Sequence, residues 1–168
     1  MIPKPLPLQN AKELPPLTWG ELSYGFSQGY VGWRTAVDFA ITKIEEGATE
    51  ADVLDLAMVG KEDVWKIGDI LARLATQETN ARPSVREIWL FILLRWLYEN
   101  REEFQDPLME VEEVYADFDY PEAMKGFVRF LPPSDGYRPD LHTHEENVQR
   151  LYQKWRDYLD DASRQFDK

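Results

Sequence analysis

The chain has 168 residues, 43% hydrophobic and 13% aromatic, enough to bury about 70% of the surface its unfolded form exposes and far from the composition of disordered chains. Its 31 acidic and 19 basic residues leave a net charge of −12, which repels phosphate backbones and anionic lipid, so neither nucleic acid nor membrane is an expected partner. It has no cysteine, which removes disulfides, thiolate zinc sites and cysteine nucleophiles and fits a reducing compartment.

The opening, MIPKPLPLQN, lacks the apolar run of a signal peptide, and the expected location is the cytoplasm. Five of the 11 prolines fall within residues 1–17 and remove the amide donors that helices need, predicting an extended arm followed by one domain over 18–168. Thr18 with Glu21 forms a capping box that starts a helix near Trp19 and runs it to about Gln28. A second helix carries Trp33, Val37, Ala40, Ile41 and Ile44 at helical spacing up to Gly47. The glycines at 20, 25, 29 and 32 do not form a dinucleotide fingerprint and read as turn and packing glycines. A third helix starts at Thr49, ends near Gly60 and turns Val53, Leu54, Ala57 and Met58 inward. A fourth, from Lys61 to Gln77, places Val64, Ile67, Ile70, Leu71 and Leu74 on one face.

Ser84 with Glu87, after Pro83, caps a fifth helix reaching Asn100. Its segment IWLFILLRWLY at 88–98 is too short to span a bilayer and contains Arg95, so it reads as the central buried helix of a bundle. Asp106 followed by Pro107 starts a sixth helix, and Pro121 starts a seventh to about Phe130. After a loop marked by Pro132, Pro133, Gly136 and Pro139, Thr143 with Glu146 caps a last helix carrying Val148, Leu151, Tyr152, Trp155 and Leu159. No segment alternates with period two. The predicted fold is an all-α bundle of about eight helices with a proline-rich arm.

Between Glu99 and Glu122 stand ten carboxylates and one cation, Arg101, which is −9 of the total −12. On the sixth helix Leu108, Val111, Val114, Tyr115 and Phe118 make the inward stripe, and Glu110, Glu113 and Asp117 an outward row whose like charges repel. Three readings are open: a solvated face, a metal site, or a docking surface for a cationic partner in which aromatics supply contact area and carboxylates orient the encounter. The docking set is Glu102, Glu103, Glu110, Glu113, Asp117, Asp119 and Tyr120. His142 and His144 in DLHTHEE could chelate a metal, but the Thr143–Glu146 box already explains their spacing and Val148 stands where a zinc-protease pattern needs histidine. No nucleophile elbow or phosphate loop occurs, and no cofactor or enzymatic activity is expected.

The segment VYADFDYPEAMKGFVRFLP at 114–132, through Tyr115-Ala116-Asp117-Phe118, Tyr120-Pro121, Phe127, Phe130 and Pro132, resembles the bacterial domain of unknown function 2247 family. LTWGELSYGF at 17–26 and AVDFA at 36–40 resemble its opening helices, so the likeness covers most of 17–133. It implies a helical bacterial protein with no established activity and, through its relatives, an immunity role in polymorphic toxin systems. The resulting expectation is a non-enzymatic protein that neutralises a basic toxin domain. The alternatives are a metal enzyme using the acidic row or the histidine pair, and a structural adaptor.

Overall fold

The computed structural model describes residues 1–82 and 84–167; Pro83, invoked ahead of the fifth helix, lies outside the described residues. Among the described residues there are seven α-helices: α1 Trp19–Ser27, α2 Trp33–Glu45, α3 Ala51–Ala57, α4 Ile67–Gln77, α5 Val85–Glu99, α6 Pro107–Asp117 and α7 His144–Phe166. Five short 3-10 segments join them, the last two at Glu122–Phe127 and Pro139–Leu141, and no strand occurs among the described residues. The fold is all-α. Seven α-helices plus the 3-10 helix Glu122–Phe127 occupy the eight places that the sequence predicts. No helix among the described residues is long and apolar enough to cross a membrane.

The chain packs as two compact units, Ile2–Trp89 and, with Met1, the residues from Leu90 onward, the division falling inside α5. In the first unit α1 packs on α4 and α2 on α3. The Thr18–Glu21 capping box forms as the sequence predicts. Glu21 is 1% exposed, and a charge so buried is tolerated only when paired. Arg82 pairs with it, donating from Nη2 to Oε1 at 2.6 Å and from Nε to Oε2 at 3.0 Å. The proline-rich lead-in packs on this unit: Leu6, Leu14 and Leu17 are buried, Leu6 N–H donates to Tyr30 O at 2.9 Å, and Ala11 N–H donates to Asp38 at 2.6 Å.

Two expectations in this unit need correction. Leu54 and Met58 point outward, because Val53 and Leu56 of α3 and Val59 just beyond it form the buried i, i+3, i+6 series instead. The predicted fourth helix is two elements, a 3-10 segment Lys61–Lys66 leading into α4, whose tighter turn shifts every side chain before Ile67 away from the α-helical register.

In the second unit α7 packs on the 3-10 helix Glu122–Phe127, around a fully buried Trp155. The Trp155 indole stacks on Phe127 with centroids 6.1 Å apart and meets Tyr98 edge-on at 5.0 Å. The expected α-helix over 121–130 is therefore a 3-10 helix, with Pro121 as its cap rather than its first residue. Gly126 lowers helix propensity there, and Phe130 adopts a left-handed φ of 69° that no helix continues through.

Candidate functional site

α6 begins as its sequence demands: Asp106 accepts from Met109 N–H at 3.4 Å, and Pro107 occupies the first turn. Leu108, Val111, Val114 and Phe118 are buried and Tyr115 is half-buried, so the inward stripe is present. The outward row is not continuous. Glu110 is 6% exposed, with Oε2 lying 2.5 Å from the Met1 amino nitrogen. It stands four residues before the buried Val114, on the margin of the same stripe, and is no surface carboxylate. Glu113 and Asp117 remain exposed, one turn apart.

Other acids of the segment are neutralised locally. Arg129 bridges Asp106 at 3.0 Å and Glu112 at 2.7 Å, and Lys125 pairs with Glu122. Glu102 and Glu103 are exposed in the 3-10 turn Arg101–Glu103 that precedes α6. The eleven residues of α6 place its two ends about 16 Å apart at 1.5 Å per residue, with Glu102 and Glu103 ahead of its start and Asp117 at its end, so the docking set falls at the two ends of the helix.

The richer patch is the C-terminal end of α6. Tyr120 N–H donates to Tyr115 O at 2.8 Å and Asp119 N–H to Ala116 O at 3.2 Å, the paired bonds of a Schellman stop. Such a stop normally places glycine in the left-handed position. Here Asp119 and Tyr120 both take it, with φ of 60° and 59°, although neither is glycine. Tyr120 is 63% exposed, its ring resting edge-on against Tyr115 at 5.2 Å. The last turn of α6 contains no basic residue, and Asp117 places its carboxylate at the negative end of the helix dipole.

A protein-family model described as an uncharacterized protein conserved in bacteria, DUF2247, matches residues 9–163. The chain belongs to this family. No curated protein and no solved structure matches it. The DUF2247 match extends past the 17–133 likeness to take in the 3-10 turn Ala11–Glu13 and most of α7.

The histidine pair of this DUF2247 chain has structural neighbours. His142 stacks on Tyr137 with centroids 4.6 Å apart and approaches Glu146 at 3.7 Å, while His144 is the first residue of α7. No group of three or more histidine, aspartate or glutamate side chains among the described residues could hold a metal ion. The loop before α7 is tethered to it: Tyr137 hydroxyl donates to Asn147 at 2.6 Å, and Asp135 accepts from Tyr137 N–H at 3.2 Å and from Arg150 at 2.5 Å. The Tyr137 amide, followed by Arg150 and Lys154, lowers the Asp135 carboxyl from 3.8 to about 2. A depressed carboxylate stabilises the fold fully above its ordinary pKa and loses that contribution as pH falls through the folded value. The tether should therefore hold down to pH 3.8 and release as pH approaches about 2. Carboxyl-carbon NMR titration of Asp135 should give a midpoint near 2, and a midpoint at 3.8 would contradict the tether.

Sequence reading missed one exposed surface, formed by Met58 and Trp65 in the first unit. The available signal was that Val53, Leu56 and Val59 offer an alternative inward series, which leaves Leu54 and Met58, at i, i+4, on the other side.

Proposed function

We propose that this DUF2247 protein is a non-enzymatic, cytoplasmic protein-binding module that neutralises a toxin domain with a basic surface, acting as a bacterial immunity protein. The observation that carries the reading is the end of α6, where exposed Glu113, Asp117, Asp119 and Tyr120 combine two local costs. Carboxylates at a helix C-terminus oppose the dipole, and adjacent left-handed residues other than glycine store about 1–3 kcal/mol each. Local rules are broken most often where function requires it, and a cationic partner would relieve the charge while Tyr120 supplied contact area. The net charge of −12 favours the same class of partner by steering.

The test is co-expression with any toxin-like domain encoded beside this gene. The chain should restore growth and co-purify with that domain, and the double variant Glu113→Lys, Asp117→Lys should fold normally yet fail to rescue. Absence of any such neighbouring domain, or full rescue by the double variant, would favour a structural adaptor instead.

A further inference from the structure

Trp65 is 74% exposed and Met58 is 82% exposed. Both line a groove of about 490 Å³ together with Asp55, Asp63, Asp69 and Arg73. Large exposed apolar side chains gathered at a groove and rimmed by charge mark interaction surfaces, and tryptophan and methionine are among the residues enriched at protein interfaces.

The charges around the groove say what it fits. Lys66 pairs with Asp63 at 3.6 Å and Arg73 with Asp52 at 3.2 Å, so the cations at the rim are already neutralised within the unit. Asp55 and Asp69 have no ion-pair partner among the described residues. Lys66 lies 5.5 Å from the Trp65 ring centroid, which places a cation against an indole that still offers its remaining surface to solvent. A second copy of the chain would bring the same aspartates toward one another, and anionic lipid or nucleic acid would meet them with like charge.

We propose that this groove docks a cationic amphipathic helix of another protein, its apolar face on Met58 and Trp65 and its lysines or arginines toward Asp55 and Asp69. The surface belongs wholly to the Ile2–Trp89 unit and does not depend on the α6 reading. Helix-in-groove recognition of this kind takes its affinity from the apolar anchors and its orientation from the flanking charges.

The probes are three synthetic peptides: an amphipathic leucine–lysine helix, its leucine–glutamate counterpart, and a lysine–serine peptide with no apolar face. Binding is read from the indole NMR signals of the six tryptophans, with Trp65 assigned by Trp65→Phe. The leucine–lysine peptide should shift the Trp65 signal and bind roughly tenfold or more tighter than either control. Trp65→Ala, and separately Asp55→Asn with Asp69→Asn, should each weaken it by roughly tenfold, whereas Glu113→Lys with Asp117→Lys should leave it unchanged. The exposure of Trp65 means that its removal leaves the fold intact. Binding insensitive to Trp65→Ala, equal binding of the glutamate peptide, or a self-association that Trp65→Ala abolishes would each overturn the proposal.

Discussion

Gly25→Ala should destabilise the protein by about 3 kcal/mol, although alanine is the better helix former by about 1 kcal/mol. A Cβ at this position would stand 2.0 Å from Cζ2 of Trp89 and 2.5 Å from Cη2, inside the contact distance of any carbon pair. The indole cannot swing away cheaply. It is fully buried, its N–H donates to Glu21 O at 2.8 Å, and its ring lies 5.4 Å from that of Tyr30. Because the clash is with the far edge of the indole, the shorter ring of Trp89→Phe should absorb the extra methyl. A double-mutant cycle by urea denaturation should then show coupling of about 1–2 kcal/mol between the two positions. A Gly25→Ala variant as stable as the parent would mean that the packing of α1 against Trp89 is wrong.

Trp155→Ala should cost about 4 kcal/mol, since it empties the centre of the second unit and removes the ring on which Phe127 stacks and against which Tyr98 packs. Trp155→Phe should be far milder, about 1 kcal/mol or less. The buried Trp155 indole N–H has no hydrogen-bond partner among the described residues, so its removal relieves a desolvation penalty that offsets part of the lost volume. Trp89→Phe has no such compensation, because the Trp89 N–H is satisfied by Glu21 O. The two Trp→Phe variants should therefore separate by more than about 1 kcal/mol, with Trp89→Phe the worse. Equal costs would contradict the different hydrogen-bonding states of the two indoles.

The features legible in the sequence were those with local causes. Thr18 with Glu21, Asp106 with Pro107, and Thr143 with Glu146 fix helix starts through side chains that reach only three residues along the chain. The all-α class followed from these and from the apolar spacing of α2, α4 and α7. What was not legible depended on tertiary context. The burial of Glu110 and its contact with the Met1 amino group depend on residues more than a hundred positions apart, the exposure of Met58 requires α3 to choose Leu56 as its inward residue, and the 3-10 winding at Lys61–Lys66 leaves no signature in hydrophobic period. The acidic segment was visible as composition, but its division between the two ends of α6 came only with the length of that helix and the local pairing of Arg129.

If the C-terminal end of α6 meets a basic partner, as proposed, the association rate constant of the Glu113→Lys, Asp117→Lys variant with a toxin-like domain that co-purifies with the parent chain shows it most directly. Measured from low to physiological salt beside the parent chain, the parent should associate quickly and slow steeply with added salt. The variant should associate roughly tenfold or more slowly at low salt and respond little to it. Equal rates and equal salt slopes for the two chains, with folding intact in both, would contradict the claim.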